Sequence, residues 1–170
     1  MEQILIVDGY NIIGAWPDLR KLRDRSLEEA REKLIGLLTD YQAYKGSRVY
    51  LVFDAYKVPG LGGKETSGKV SIRYTKENES ADECIERLVG ELSGRRKQVY
   101  VATSDSVEQN VSFGRGALRL SARELAIEID VIRREIRTRI TEKEKAPRNT
   151  FDNALPQDVR QIFEKWRREK

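Results

Sequence analysis

Apolar residues along the chain fall into two alternating patterns. Short continuous runs, Ile4-Leu5-Ile6-Val7, Val49-Tyr50-Leu51-Val52-Phe53 and Val99-Tyr100-Val101-Ala102, have the length and β-branched content of strands buried on both faces. Val70-Ser71-Ile72-Arg73-Tyr74 alternates and reads as a further strand. Between these runs, apolar residues recur every three or four positions. Leu27, Ala30, Leu34, Leu37, Leu38 and Tyr41 form one helical stripe. Ala81, Ile85, Leu88 and Leu92 form a second, and Leu125, Ile129, Ile132, Ile136 and Ile140 a third. Each stripe is opened by a capping box: Ser26 with Glu29, Ser80 with Glu83, and Ser121 with Glu124. The first should end at Lys45-Gly46, and Ala146-Pro147 breaks the third. A short helix over 107–113 and a last one from Pro156, carrying Val159, Ile162, Phe163 and Trp166, complete the set.

Strands separated by helices imply right-handed crossovers. The pattern therefore predicts an α/β fold with a parallel sheet and helices on both faces. Gly14-Ala15-Trp16-Pro17 reads as a loop, and so does the glycine-rich stretch 57–69, which suggests an open groove. The 170 residues suffice for a sizeable core. The main domain is expected over residues 1–145, with 146–170 as a basic helical extension packed on it, and the expected state is a monomer.

Composition narrows the chemistry. Hydrophobic residues make up 39% and charged residues 35%, and no apolar stretch approaches the length of a membrane span. The N-terminus enters a strand with no basic region ahead of it, and the single cysteine, Cys84, cannot form an internal disulfide. A cytoplasmic protein without a membrane partner is expected. The chain has no histidine, which excludes Ser-His-Asp and Cys-His catalysis and histidine-ligated zinc. Any chemistry must use carboxylates, hydroxyls, amides, Lys and Arg. The net charge of +4 is uneven: residues 133–170 hold twelve Lys and Arg against seven Asp and Glu, a local +5 that leaves −1 for the rest. A basic C-terminal stretch on a neutral body suggests an anionic partner such as nucleic acid, although a solvated helix of mixed charge accounts for it equally.

The candidate chemistry lies where the strands end. The first run stops at Asp8-Gly9-Tyr10-Asn11, the second at Asp54, and the fourth at Thr103-Ser104-Asp105. Asp82 and Glu83 follow the third strand in the first turn of a helix. Asp8 alone reads equally as the cap of a turn that Gly9 allows. A parallel sheet, however, brings all its carboxyl ends to one edge. Converging carboxylates repel unless a cation neutralises them. Hard divalent ions do this through oxygen ligands, and such an ion activates water in phosphodiester cleavage. Asp54 is the weakest member of the set.

Val7-Asp8-Gly9-Tyr10-Asn11, Phe53-Asp54-Ala55, Ser80-Ala81-Asp82-Glu83 and Ala102-Thr103-Ser104-Asp105 resemble the NYN nucleases, a branch of the PIN-like superfamily. The stretch from Gly116 to Leu125 and the ending Phe163-Glu164-Lys165-Trp166-Arg167-Arg168 resemble the bacterial YacP-type proteins within that branch. The resemblance covers nearly the whole chain. It implies a parallel α/β sheet and Mg²⁺- or Mn²⁺-dependent endoribonuclease activity, with mRNA cut in the A site of translating ribosomes. Residue by residue, it implies Asp8, Asp82 and Asp105 as metal-binding acids. Asn11 would orient Asp8 or a metal-bound water, and Thr103 and Ser104 would be supporting hydroxyls. Glu83 is either a further ligand or only the capping partner of Ser80.

Arg115, Arg119 and Arg123 are spaced four apart and, if helical, form one basic stripe suited to phosphates; pairing with Glu124 or Asp130 accounts for them equally. Arg167 and Arg168 are candidates for contact with ribosomal RNA. Tyr10, Trp16 and Tyr56 could stack bases or serve packing. Two other functions compete: a catalytically silent RNA- or ribosome-binding module of the same fold, and a metal-dependent phosphatase or small-nucleotide hydrolase. The first gains nothing from anions facing phosphate. The second would need an enclosed site.

Overall fold

The structure is a computed structural model that describes residues 1–55, 64–104 and 116–145. Asp105, Arg115, Arg167, Arg168, Tyr56, the expected helix over 107–113 and the extension 146–170 lie outside the described residues. The chain divides into two compact units, Met1–Arg133 and Arg134–Lys170.

The elements follow in the order β1 (Glu2–Asp8), α1 (Gly9–Ala15), α2 (Pro17–Arg25), α3 (Leu27–Lys45), β2 (Arg48–Phe53), β3 (Lys64–Ser67), β4 (Val70–Tyr74), α4 (Ala81–Leu92), β5 (Lys97–Thr103), β6 (Leu118–Ser121) and α5 (Ala122–Lys145). The sheet has six strands in the order β3-β4-β2-β1-β5-β6. All neighbours pair in parallel except β3, which returns antiparallel on β4. The expected α/β architecture is present, as a mixed and mostly parallel sheet.

Strand alternation sorts the two faces. Ile4 and Ile6 of β1, Val52 of β2, and Val99 and Val101 of β5 form one core cluster with Cys84, Ile85, Leu88, Val89 and Leu92 of α4. Leu5, Val7, Leu51 and Phe53 therefore point to the other face. The ring of Phe53 meets Tyr10 of α1 at 5.0 Å between centroids. Glu128 of α5 ties α5 to α3 on that side, through Lys45 at 2.8 Å and the Tyr41 hydroxyl at 3.3 Å. The indole of Trp16 donates to the carbonyl of Ala122 at 2.8 Å.

The capping boxes form as spaced. Ser26, Ser80 and Ser121 each accept from the backbone N–H three residues on, at 3.3, 3.2 and 3.0 Å. Gly46 ends α3 with φ 73°, a left-handed turn that suits glycine.

Four expectations are corrected. The stretch around Gly14-Ala15-Trp16-Pro17 is helical apart from Trp16, because Pro17 can open a new helix at its first position. The glycine-rich stretch 57–69 is not all loop: its end forms β3, whose Thr66 and Ser67 pair with Ser71 and Val70. Arg119 lies on β6 rather than on a helix. Leu118-Arg119-Leu120-Ser121 extends the sheet beside β5, so Arg119 and the exposed Arg123 of α5 do not share one helical face. The α5 stripe is buried at Leu125, Ile129 and Ile132, but Ile140 is 51% exposed.

Candidate active site

β1 lies between β2 and β5. From β1 the chain steps to β2 and β4 on one side and places β5 and β6 on the other. Where strand order reverses in this way, a crevice opens at the carboxyl ends of the strands. A cavity of about 450 Å³ opens among Asp8, Tyr10, Asn11, Gly14, Ala15, Asp54, Ala81 and Ser104. These residues come from the ends of β1, β2 and β5, from both ends of α1 and from the start of α4, so distant segments converge as the strand-end pattern requires.

Asp8 is the last residue of β1 and stands at the N-cap of α1, yet its side chain makes no capping hydrogen bond. Only 8% of it is exposed, and it lines the cavity. This removes the reading of Asp8 as a turn cap. Gly9 does not supply a turn of positive φ either; it is the first residue of α1. A Cβ there would lie 2.4 and 2.5 Å from ring atoms of Phe53 and 2.9 Å from the carbonyl oxygen of Val52. Glycine lets α1 start against β2, which holds the turn after Asp8 close to the sheet.

Asn11 joins the two sides of the crevice. Its amide oxygen accepts from the Thr103 hydroxyl at 3.2 Å and from both the backbone N–H and the hydroxyl of Ser104. That oxygen ties α1 to the end of β5. Asn11→Ala should therefore lower stability by about 1–2 kcal/mol. It should also let the two strand ends drift apart. Urea denaturation measures the first effect, and faster hydrogen exchange of the Ser104 amide under folded conditions the second.

Asp54 is half-buried and also lines the cavity. The Thr75 hydroxyl donates to its Oδ1 at 3.4 Å and accepts from the N–H of Ala55 at 2.9 Å. The N–H of Thr75 in turn donates to the carbonyl of Phe53 at 3.0 Å. Thr75 was not singled out from the sequence. Its signal is only a buried threonine directly after an alternating strand. Asp82 is exposed in the first turn of α4, next to the cavity-lining Ala81. Glu83 acts as the capping partner, since Ser80 donates to its Oε1 at 3.2 Å.

Tyr10 lines the cavity, and its hydroxyl accepts from Arg31 at 3.3 Å. Burial pushes its phenol above the ordinary value; the hydrogen bond and charge of Arg31 oppose this, and the nearby Asp54 carboxylate adds to it. The phenol keeps its proton at neutral pH.

Residues 5–168 match the YacP-like NYN domain family. The chain belongs to that family. It is 50% identical over 165 residues to the protein YacP of Bacillus subtilis strain 168, covering 97% of this chain and 96% of that protein. The crystal structure of Rae1 (YacP) from Bacillus subtilis is 49% identical, with a TM-score of 0.73 over 97% of this chain and 94% of that one. A mutant of the same protein gives 48% identity and a TM-score of 0.74 over 84% of each chain. YacP-like NYN membership is consistent with a nuclease-type, PIN-like fold. Among the described residues, no helix is long and apolar enough to cross a membrane.

A family of this kind implies a divalent ion, and the donors present can be set against that. Among the described residues no group of three acids is placed to hold a metal. Two carboxylates and the Ser104 hydroxyl nevertheless face one open cavity. Hard oxygens in that number, with room for water, suit Mg²⁺ or Mn²⁺, which keep several waters and need few protein ligands.

Proposed function

We propose that the chain is a metal-dependent endoribonuclease that cuts mRNA on translating ribosomes, in the A site. The observation that carries this reading is the pair of strand-end carboxylates, Asp8 and Asp54, facing an open cavity at the point where strand order reverses. A pure RNA binder has no use for anions there, since phosphate would be repelled. A phosphatase or small-nucleotide hydrolase would need an enclosed site, whereas this cavity is open.

Of the expected metal-binding acids Asp8, Asp82 and Asp105, Asp8 lines the cavity, and Asp54, expected only in a supporting role, lines it too; these two would hold the Mg²⁺ or Mn²⁺ ion, with Asp82 beside the cavity and Asp105 after Ser104 as further acids. When bound, the ion would supply a hydroxide-like water and stabilise the departing oxygen. The chain's own residues do the rest. Asn11 fixes the ends of β1 and β5 relative to each other, and Thr75 fixes Asp54. Tyr10 supplies an aromatic wall to the cavity, and Arg31 holds its hydroxyl. The basic excess of residues 133–170, including Arg167 and Arg168, together with Arg119 and Arg123, supports contact with ribosomal RNA. Docking in this way would raise the effective concentration of mRNA at the site. A monomer in the cytoplasm completes the reading.

The test is incubation with RNA, with and without Mg²⁺ or Mn²⁺, and with and without translating ribosomes. Cleavage is expected only with metal and at a much higher rate with ribosomes; added EDTA should stop it. Absence of cleavage under every condition, with ribosome binding retained, would make the chain a silent binding module.

A further inference from the structure

Asp8 and Asp54 present negative charge to any RNA that enters the cavity. A divalent ion offsets this for the phosphate it touches. The neighbouring phosphates of the strand need a separate cation at the margin of the cavity.

Arg31 stands at that margin. It projects from α3, half-buried, and its Nη1 donates to the hydroxyl of Tyr10, a wall of the cavity, at 3.3 Å. The ring of Tyr10 is fixed in turn against Phe53, which is fully buried and lies 6.0 Å from Tyr74. The guanidinium is thus held by a rigid aromatic group rather than by a flexible acid. The hydrogen bond of Arg31 goes to a hydroxyl, whereas Arg23, Arg25, Lys45, Arg48 and Arg87 each meet a carboxylate. A guanidinium held by a hydroxyl rather than by a carboxylate keeps its charge available to an incoming anion. Its planar fork has donors beyond the one used on Tyr10, in the geometry that matches phosphate oxygens.

We propose that Arg31, held by Tyr10, binds the backbone phosphate of single-stranded RNA next to the one at the carboxylates. The inference takes its ligand from the nuclease reading and adds a binding subsite to it. The two side chains act together: Arg31 presents its fork, while the hydroxyl of Tyr10 accepts from Arg31 and holds it in place. Arg31 escapes the strand-end pattern because it lies in the second turn of a helix, among charged residues that read as solvent-facing.

The experiment measures binding of a fluorescein-labelled single-stranded RNA by anisotropy over a range of salt, in full-length protein carrying Asp8→Asn so that cleavage does not interfere. Arg31→Ala should weaken binding about 10-fold and reduce the slope of log affinity against log salt by about 0.7, the share of one phosphate contact on a single strand. Arg31→Lys should keep most of the slope and fall between the two in affinity. Tyr10→Phe should weaken binding less than Arg31→Ala. If Arg31→Ala fails a thermal melting check, Arg31→Gln, which keeps a donor for Tyr10 without the charge, is read by the same criteria. Unchanged affinity and slope in a folded variant would overturn the inference, as would a parent that binds RNA without salt dependence. Failure of the nuclease reading looks different. A chain with native Asp8 that never cuts RNA, yet whose salt slope depends on Arg31, loses the activity and keeps the subsite.

Discussion

Asp8→Asn should lower RNA cleavage by at least about 100-fold and leave the fold intact. The bound on the loss follows from metal-site energetics, in which partners one shell further out are already worth 10–100-fold in activity or affinity. A direct carboxylate ligand should exceed that. The fold should survive because the amide has nearly the shape of the carboxylate, and Asp8 makes no capping bond that an amide would lose. Without metal, the variant should melt at the same temperature as the parent or higher, since one of two anions facing the cavity is gone. Adding Mg²⁺ should then raise the melting temperature of the parent more than that of the variant, because only binding to the native state stabilises it. A folded Asp8→Asn protein that cuts RNA at the parental rate would take Asp8 out of the mechanism. Asp54→Asn tests the second carboxylate in the same way. Its expected loss is smaller, because the Thr75 hydroxyl can still hold the amide in place.

The sheet and its functional edge were legible in the sequence for one reason: the sheet is mostly parallel. Continuous aliphatic runs separated by helical stripes leave few other folds, and parallel strands send all their following residues to one edge. That is why Asp8, Asp54 and Ser104 could be placed near one another from spacing alone, and why the cavity now joins them. The three serine capping boxes were legible because the bond they make is local in sequence. What escaped was short or depended on tertiary contact. β3 and β6 have four residues each, too few to show a period, and both draw their stability from the neighbour they pair with. The partner of Asn11 lies more than ninety residues away, so nothing local distinguishes an amide that bridges two strand ends from one that orients a carboxylate. Arg31 and Thr75 matter only through what they touch, Tyr10 and Asp54. Gly9 was noticed for the wrong property, conformational freedom, when the fold uses its lack of a side chain.

That last point gives the largest expected effect on stability. Gly9→Ala should cost about 2–3 kcal/mol, the upper part of the range for overpacking a close-packed interior, and lower the melting temperature by roughly 5–10 °C for a chain of this size. The added methyl would sit 2.4 Å from one atom of the Phe53 ring and 2.9 Å from a backbone oxygen of β2. The ring has little room to withdraw, being fully buried between Tyr10 and Tyr74. The oxygen belongs to Val52, a residue paired with both Asp8 and Arg73 in the middle of the sheet. The remaining way to relieve the contact is for the start of α1 to lift away from β2. Asp8 precedes that start, and Tyr10 and Asn11 follow it, so three cavity-lining residues would move together. Gly9→Ala should therefore depress cleavage even at temperatures where the variant is fully folded, and by more than a remote substitution of equal stability cost. A core truncation such as Leu34→Ala in α3, whose side chain is fully buried, serves as that comparison. Equal cleavage by the two variants, matched for fraction folded, would show that Gly9 serves packing alone and that the start of α1 does not position the site.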